Sequence, residues 1–503
     1  TKLYISDTNI SNILSVPDET VYQNKLAEKE KIINSVYLAL VTMGYTVKPN
    51  LMVYLLLLQL RYFLKEHQYE NVPGGLLAYS IITIRLSKNY IRGFKIGKLA
   101  LDVSEKWNRS PNDKGVNFFV FASLIHHWRE HVEVTEEYFL KAIEYCTEAG
   151  NPTFTSFSIS HYITSLHVRG IHLEKLLEHI QYYSKYNHHT NHKYLNEFLD
   201  IYKQFTLCLL GKTQSPLSFS DENISESILV KRLRSGDERE RKIFDYNLCK
   251  LQIYYLMGNY EEALKVAKES DIYESRANGT IGLPEFYFYY CLTILSQYNA
   301  FHIKERCMYE KVLKKKIRFM KAWAKSCPEN FEHKYLLVLA ELNKVRKKFR
   351  NAALFYDQAI ISARNHNYIQ NASLGYELAA KFYYQWSMKT TGNGYIALAY
   401  RGFESLGVAA KIKSLEEEYP WVLETRDIVW DKHNIVMALD KSTIIKTYQA
   451  ITEEIVLDEL LKKLLTILIQ NAGADKCFLF LYKDNILHLE GLGWVKEEKI
   501  DTK

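Results

Sequence analysis

One helical stripe recurs along the chain and limits its fold more than any other feature. Each copy has a bulky residue followed by three mostly small residues at offsets of +3, +7 and +10, so all four side chains share one face of an α-helix. Small residues let a neighbouring helix approach closely, and the aromatic residue fills the gap that remains. The five copies are Tyr90-Gly93-Gly97-Ala100, Phe139-Ala142-Cys146-Ala149, Tyr260-Ala263-Ala267-Ser270, Phe349-Ala352-Tyr356-Ala359 and Tyr395-Leu398-Gly402-Ser405.

The spacing of the stripes predicts a long repeat. Their bulky residues are 49, 121, 89 and 46 residues apart, or one, three, two and one units of roughly 40 to 49 residues. The stripe has the packing logic of the second helix in a tetratricopeptide (TPR)-type pair, whose standard unit is about 34 residues. Gly258, just before Tyr260, can adopt the left-handed conformation that ends a helix. We therefore expect a mostly all-α fold, a TPR-like α-solenoid of helix pairs.

Composition agrees with packed helices and excludes other classes. Only 21 Gly and 9 Pro occur in 503 residues, too few for the closely spaced turns of a β-sandwich or barrel. The hydrophobic fraction of 47% and the charged fraction of 24% are those of a folded protein. The formal charge of +7 is modest, and we interpret the basic cluster at 311–325 as a solvated helix face. Nucleic-acid binding is therefore not expected.

The cysteines and the apolar runs indicate a cytoplasmic chain. Seven cysteines are scattered without a Cys-x-x-Cys pair, which fits reduced, mostly buried thiols. No secretory signal peptide is present, and the longest apolar run, Leu51 to Leu58, is too short to span a bilayer. We therefore expect a cytoplasmic location and no membrane partner. Because the chain begins at Thr1 rather than at methionine, we also expect it to be a piece of a longer protein.

A different pattern follows Tyr419-Pro420, where the repeat signal fades. A short heptad seam would either pair with its twin in a dimer or pack on the neighbouring domain; it is formed by Ile444, Tyr448, Ile451 and Ile455. Leucines between 457 and 468 predict an amphipathic helix. Cys477 to Tyr482 and Ile486 to Leu489 then predict two strands joined by a turn. A helix followed by a hairpin is the opening of an α/β domain.

Residues in this last part resemble the start of a GAF domain. The resemblance rests on Asp440 to Lys446, Gln449 to Ile451, Glu454 to Leu461 and Asn471 to Ala474. The version that they resemble belongs to large hybrid signalling kinases. In those proteins a Ser/Thr protein kinase domain is followed by a STAND-like predicted ATPase, a long TPR-like repeat region, a GAF domain and a histidine kinase.

The repeat region resembles the same family in separate segments that keep a consistent order. The strongest local match is Trp323 to Leu337. The others are Gly93 to Leu101, Phe121 to Arg129, Tyr376 to Tyr383 and Leu415 to Pro420. The family usually has Trp-Gly-Ala where this chain has Leu406-Gly407-Val408, so the local packing there is expected to differ. The resemblance implies a place inside a larger protein, because none of the matched residues is catalytic.

Two candidate chemical sites are better interpreted as structure. Gly93 to Lys98 approaches a phosphate-binding loop, but its spacing is wrong and it lies on a stripe, so we expect helix packing there. His188 and His192 could share a helix face and bind a metal together with His189. No Cys or carboxylate stands at ligand spacing, so these histidines are interpreted as part of a polar loop.

Three further segments are also assigned to packing. His126-His127-Trp128 is interpreted as part of a repeat helix with a buried Trp rather than as a catalytic base. The aromatic run from Phe286 to Tyr290 is interpreted as inter-helix packing rather than as a ligand cage. Cys327 before Pro328 reads as the start of a helix rather than as a nucleophile. No catalytic, cofactor-binding or metal-binding residue is therefore predicted in this chain.

The sequence predicts three segments and one leading function. We expect a TPR-like helical repeat scaffold over 1–435, a connecting signalling helix over 436–455 and the truncated N-terminal part of a GAF domain over 456–503. The leading hypothesis is a regulatory and protein-interaction segment of a multidomain signal-transduction kinase, relaying state from the repeats to the GAF sensor and a downstream histidine kinase. Its partners would be proteins or other domains of the same polypeptide, with a homodimer through the helix near 440–455 and the GAF domain.

Two alternatives stay open beside this hypothesis. The first is a stand-alone TPR-like protein-binding adaptor without kinase activity. The second is a small-molecule sensor whose GAF domain binds a nucleotide or a tetrapyrrole, although the chain holds too little of that domain to build a pocket. No cofactor is expected in this chain. ATP and Mg are expected only for the kinase and ATPase domains of the parent protein.

Overall fold

Helices dominate the chain. The computed structural model describes the following residues: 49–65, 72–108, 110–190, 192–236, 238–425, 475–483, 486–496 and 499–502. The α-helices in these ranges are α1 (Pro49–Lys65), α2 (Pro73–Ser87), α3 (Tyr90–Trp107), α4 (Pro111–Leu124), α5 (Val132–Glu148), α6 (Pro152–Arg169), α7 (Leu173–Thr190), α8 (Lys193–Leu209), α9 (Glu226–Leu233), α10 (Arg239–Leu256), α11 (Tyr260–Ile272), α12 (Gly282–Ser296), α13 (Ile303–Ser326), α14 (Pro328–Val345), α15 (Phe349–Asn365), α16 (Ile369–Gln385), α17 (Lys389–Leu406) and α18 (Ala409–Glu418).

The helix boundaries follow local sequence signals. Pro111 and Pro328 stand at the first position of α4 and α14, where a missing N–H removes no helical hydrogen bond. Asn259 caps α11 by accepting a hydrogen bond from the backbone N–H of Glu262. Gly258, with φ of +76°, adopts the left-handed conformation between α10 and α11. The predicted helix end at Gly258 and the predicted helix start at Pro328 are both confirmed.

The helices form a regular series of pairs. The first helix of each pair has an even number, and successive first helices start 38, 41, 41, 46, 43, 46 and 41 residues apart, at Pro73, Pro111, Pro152, Lys193, Arg239, Gly282, Pro328 and Ile369. The stripes lie on the second helices α3, α5, α11, α15 and α17. These helices are separated by one, three, two and one pairs, so the predicted repeat count is confirmed.

The small residues of the stripes permit close helix contact, as predicted. Ala263 and Ala267 on α11 are fully buried. A Cβ atom built on Gly93 would lie 2.4 Å from Ile84 Cγ1, so only glycine fits between α3 and α2. Ser80 on α2 donates its hydroxyl to the backbone carbonyl of Gly93 at 2.6 Å. The Gly93 to Lys98 segment is therefore a helix-packing element.

Two copies of the stripe end in an exposed residue, and the bulky residues of the other three, Tyr90, Tyr260 and Phe349, are half-buried. Ala149 is exposed because α5 ends one residue earlier, at Glu148. Ser405 is exposed because the buried face of α17 is turned towards Ala399 and Phe403. The first three positions of the second copy remain buried.

The pairs are arranged in two layers. Each even-numbered helix from α2 to α14 packs against its own partner and against the next even-numbered helix, which places the even-numbered helices in an inner layer. The inner helix α12 is almost completely buried, from Gly282 to Leu295. Its aromatic run from Phe286 to Tyr290 packs between helices, as predicted. The odd-numbered helices form the outer layer and carry most of the exposed charge.

A small sheet is described near the end of the chain. It contains β1 (Lys476–Lys483), β2 (Ile486–Lys496) and β3 (Lys499–Thr502), antiparallel in the order β1-β2-β3. The two predicted strands are confirmed, and β3 and the C-terminal half of β2 were not predicted. The helices predicted over 436–455 and 457–468 lie outside the described residues. The assignment of this region to a GAF domain stays a prediction.

The chain divides into two compact units. One comprises Thr1–Ser387 and Tyr395–Leu423, and the other comprises Met388–Gly394 and Glu424–Lys503. Among the residues that the structure describes, no helix is both long enough and apolar enough to cross a membrane. The cysteines are free thiols, buried except for the exposed Cys307 and the half-buried Cys477, which agrees with the predicted reduced state.

Candidate interaction surface

The inner layer of the solenoid is closed by contacts between residues about 200 positions apart. Ser326 donates its hydroxyl to the Trp128 carbonyl at 2.7 Å, a separation of 198 residues. Gln370 donates its amide to the Val168 carbonyl at 2.7 Å, a separation of 202 residues. These contacts join helix pairs that are four or five repeats apart in sequence. We call this line of contacts the cross-turn seam, defined by Trp128, Val168, Ser326, Gln370 and the residues that bond with them.

Asn330 is the polar centre of the cross-turn seam. Its side-chain amide donates to the carbonyls of His127 and Glu130, both at 2.8 Å. Its side-chain oxygen accepts from the Val132 backbone N–H at 3.0 Å and from the Tyr368 hydroxyl at 2.7 Å. Asn330 is only 1% exposed, so these four bonds satisfy both of its polar atoms without water.

Aromatic rings pack beside Asn330 and leave no usable cavity. The Trp128 ring lies 5.4 Å from the Trp323 ring and 5.5 Å from the Phe331 ring, measured between centroids. The small gap bounded by Trp323, Phe331, Pro284, Met320 and Lys334 has no room for a water molecule. The inner face at this seam is therefore filled by the chain itself and offers no open groove to a partner.

The seam unites two of the segments on which the family resemblance rests. Phe121 to Arg129 and Trp323 to Leu337 lie against each other through Trp128, Ser326 and Asn330. His126-His127-Trp128 is a 3₁₀ turn rather than part of a repeat helix, although its Trp is buried as predicted. The helix prediction failed because it was based on the sequence of a single repeat. The contacts of this turn come instead from the distant α14.

Buried histidines surround the seam. Burial lowers the pKa of His126 to about 3, with a further contribution from the charge of Lys98. Burial and neighbouring His126 lower the pKa of His127 to about 3. Burial also lowers the pKa of His167 to about 4, although its contact with Gln252 at 2.9 Å acts in the opposite direction. These rings are neutral at pH 7 and serve packing and hydrogen bonding rather than proton transfer.

Lys316 on α13 lies inside an aromatic cage made by α12. Its ammonium lies 4.1 Å from the centroid of the Tyr287 ring and 5.0 Å from that of Tyr290. The same ammonium pairs with Asp271 at 2.6 Å and with Glu274 at 3.0 Å. Burial alone would raise the pKa of Glu274, but Lys316 and the Tyr287 hydroxyl lower it to about 2. The aromatic run from Phe286 to Tyr290, which was predicted to pack between helices, thus encloses a lysine of the same chain.

This position corrects one part of the sequence interpretation. Lys316 belongs to the basic cluster at 311–325, which the sequence suggested was a solvated face, yet its side chain is only 1% exposed. A signal was present: Lys316 falls at helical spacing on the stripe formed by Tyr309, Leu313, Met320 and Trp323, all of which are buried.

The last helix of the solenoid is tied back to its middle. Lys411 on α18 donates to Glu377 at 2.7 Å and to the carbonyl of Leu256 at 2.8 Å, 155 residues away. Lys381 also donates to Glu377, at 2.7 Å. Burial alone would raise the pKa of Glu377, but Lys411 and Lys381 lower it to about 2. We call Leu256, Glu377, Lys381 and Lys411 the terminal lock.

The outer face of α13 carries an unusual density of positive charge. From residue 311 to residue 328 the sequence has seven basic residues and no acidic residue. Six of them are exposed, and we call these six the basic stripe: Lys311, Lys314, Lys315, Arg318, Lys321 and Lys325. The sequence interpretation of an exposed basic helix face is therefore confirmed for these positions.

The remaining candidate residues have structural roles. Cys327 occupies the N-cap position of α14 and is buried, and burial raises the pKa of its thiol well above the usual range, so the thiol remains protonated. His188 and His189 lie in the last turn of α7 rather than in the predicted loop, because this helix continues to Thr190. Among the described residues, no group of three or more His, Cys, Asp or Glu side chains could hold a metal ion.

Comparison with known proteins supports the repeat class. A family model described as CHK1-like, TPR repeats, matches residues 230–382, which extend from α9 into α16. No curated protein sequence matches the chain. Among solved structures, the apo form of the quorum sensor NprR from B. thuringiensis is similar at 14% identity, over 79% of this chain and 98% of that chain. Its TM-score of 0.36 is too low to support a conclusion about function.

The family match and the regular helix pairs together identify a TPR-like helical-repeat fold. Repeat arrays of this kind present extended surfaces to protein partners. A role in protein interaction is therefore the function that the fold supports.

Proposed function

We propose that this chain is the regulatory and protein-interaction segment of a cytoplasmic multidomain signal-transduction kinase. The TPR-like array carries the protein-interaction part of the proposal. The kinase context rests on the resemblance of five repeat segments and of residues 440–474 to hybrid Ser/Thr and histidine kinases. In this proposal residues 436–455 form a connecting helix, and residues 456–503 begin the GAF domain. ATP and Mg would bind only to other domains of that protein.

The terminal lock suggests how the array would pass on a change of state. Lys411 connects the last helix of the array to Leu256 in its middle, through a buried ion pair with Glu377. A partner that shifted the middle repeats would therefore shift α18, which immediately precedes the segment leading to the proposed GAF domain. The relay requires this coupling to be stiff, and a buried, hydrogen-bonded lysine supplies stiffness because freeing one partner leaves a buried charge.

The first test of this proposal is the coding sequence on both sides of the chain. Kinase and P-loop motifs upstream, with a phosphoacceptor histidine and an ATP-binding lid downstream, are expected. A start codon at Thr1 and a stop codon soon after Lys503 would instead leave a stand-alone TPR-like adaptor and would remove the kinase proposal.

The relay itself is tested in the full-length protein by Lys411→Met. This change should alter histidine autophosphorylation by about tenfold, because it leaves Glu377 buried beside a single lysine. Lys413→Met is the matched control, since Lys413 is exposed on the same helix. Equal phosphorylation by the two variants, with α18 loosened only in Lys411→Met by hydrogen exchange, would disprove mechanical coupling.

A further inference from the structure

The basic stripe on α13 differs from the other exposed charges of the solenoid in bringing six exposed cations together on one helix with no acidic residue among them. Elsewhere exposed charges form ion pairs with neighbouring elements, such as Lys141 with Glu105 at 3.4 Å and Arg276 with Glu240 at 2.6 Å. On the stripe, Lys315 pairs with Glu274 at 3.4 Å. Within the part of the chain that the structure describes, no ion pair is recorded for the other five: Lys311, Lys314, Arg318, Lys321 and Lys325.

The acidic groups nearest to the stripe are already occupied. Asp271 and Glu274 hold the buried Lys316. Glu310, one residue before the stripe, pairs with Arg346 at 2.9 Å and accepts from the Tyr298 hydroxyl at 2.8 Å. Use of any of these three carboxylates to neutralise the stripe would therefore break an existing contact.

Further positive charge adjoins the stripe in space. The exposed Lys88, from the loop after α2, lies 5.0 Å above the ring of Phe319 on α13. The guanidinium of Arg318 lies 5.9 Å from the centroid of the same ring. Two cations thus approach one aromatic side chain beside the stripe.

An apolar end distinguishes the stripe from a simple polyanion site. Met308 is 47% exposed and lies in line with Lys311, Lys315 and Arg318 at helical spacing. Ile303, five residues earlier in the first turn of the same helix, is 80% exposed. A ligand that covers this face would meet two apolar side chains near one end and cations along about 21 Å of helix.

We propose that this face of α13 binds an acidic protein segment whose apolar side chains cover Ile303 and Met308. The partner is an amphipathic helix rich in Glu or Asp, aligned along α13. This inference rests on the proposed protein-interaction function and names the chemistry of its partner. A nucleic acid is less suited, because the charge forms one row on one helix in a chain of pI 8.7, and because a phosphate backbone leaves Ile303 and Met308 uncovered.

The test uses the full chain and a fluorescent helical peptide of about 20 residues, rich in Glu and Ala and carrying two Leu at one end. Binding is measured by fluorescence anisotropy at low and at moderate salt. The triple variant Lys314→Glu, Arg318→Glu and Lys321→Glu should weaken binding by about tenfold or more, with the loss falling as salt rises. A control of equal charge change uses three exposed lysines on other helices, Lys175→Glu, Lys185→Glu and Lys231→Glu.

A second arm tests the apolar end. Ile303→Ser with Met308→Ser should weaken binding of the Leu-bearing peptide and leave a Leu-free peptide unaffected. An oligonucleotide of equal charge, or vesicles of anionic lipid, should bind more weakly than the peptide. Tighter binding of either one, an equal loss in the control variant, or no peptide binding at all would overturn the proposal. Those results would leave the kinase context untouched, because that context is decided by the flanking coding sequence.

Discussion

Lys316 illustrates how the surroundings of one residue determine whether its charge can be buried. Its ammonium is held by three rings of α12 and by two carboxylates, although its neighbours Lys314 and Lys315 face solvent. A lysine buried without such partners would lose its charge, whereas here cation–π contacts and ion pairs both favour the ammonium.

We expect Lys316→Met to destabilise the protein by about 2–3 kcal/mol. The change leaves Asp271 and Glu274 without their shared cation, and both carboxylates are partly exposed, which keeps the loss below that of a fully buried pair. Lys315→Met is the control: its ammonium lies 3.4 Å from the same Glu274 but is 55% exposed, so it should change stability by less than about 0.5 kcal/mol. The two midpoints of urea unfolding are compared at pH 7, and equal midpoints would contradict the role assigned to the cage.

Acid should weaken this cluster in a defined range. Because the pKa of Glu274 is lowered from 4.5 to about 2, its contribution is present above about pH 4.5 and is lost as the pH falls towards 2. The difference in stability between Lys316→Met and the unaltered protein should shrink over that range.

At the scale of one helix, glycines mark where two helices approach most closely. Gly115 on α4 faces Cys146, the third position of a stripe on α5. A Cβ atom there would lie 2.5 Å from the Cys146 Sγ and 2.9 Å from its backbone nitrogen. The backbone nitrogen cannot move aside as a flexible side chain would, so α4 and α5 would have to separate.

Gly115→Ala should therefore destabilise the protein by about 1–2 kcal/mol, despite the higher helix propensity of alanine. Gly74→Ala on α2 is the matched control, because nothing lies within 4 Å of a Cβ built there. That control should be neutral or slightly stabilising. Thermal unfolding midpoints distinguish the two, and a Gly115→Ala protein as stable as Gly74→Ala would show that the helices adjust freely.

The stripe pattern predicted which helices are the second of a pair and how many repeats separate them, since both depend on local periodicity. It missed Gly115, because the residue opposite a stripe lies on the partner helix and has no fixed offset from it. It also missed the burial of Lys316. The spacing of this residue places it on the buried stripe of α13, but its charge led to the prediction of an exposed position. Helical period was the more reliable guide at this position.

At the scale of the whole solenoid, the cross-turn seam is the feature that local patterns cannot reveal. The seam joins residues four or five repeats apart, and its register depends on the small rotation accumulated at every pair. The two segments that meet there both resemble the same family, but neither the resemblance nor the periodicity predicted that they would be in contact.

Asn330→Leu should destabilise the solenoid by about 3 kcal/mol, because it leaves the Val132 N–H, the Tyr368 hydroxyl and two carbonyls buried without partners. Asn351→Leu, at an exposed position on α15, serves as the control. Hydrogen exchange should accelerate together near Val132 and near Asn330 only in Asn330→Leu. Acceleration confined to α14 would mean that the seam does not couple the two turns.

The buried histidines give the whole solenoid a predictable sensitivity to acid. The pKa values of His126, His127 and His167 are lowered from 6.5 to about 3, 3 and 4, so the unfolded chain binds protons more readily than the folded one. Their contribution to stability is therefore complete above pH 6.5 and declines as the pH falls below it. At pH 5 each of these rings, which burial keeps neutral, should lower the free energy of unfolding by about 2 kcal/mol.

Ordinary carboxylates titrate little between pH 6.5 and 5, so a steep fall in the unfolding midpoint over that range is expected to come from histidine. His127→Gln should make the fall shallower, whatever it does to the midpoint at pH 7. His302 lies at an exposed helix N-cap, a position that asparagine also favours. His302→Asn should therefore leave the slope of the unfolding midpoint against pH unchanged. Because slopes rather than midpoints are compared, a general loss of stability cannot imitate the result, and a slope unaffected by His127→Gln would rule out this ring as an acid-sensitive group.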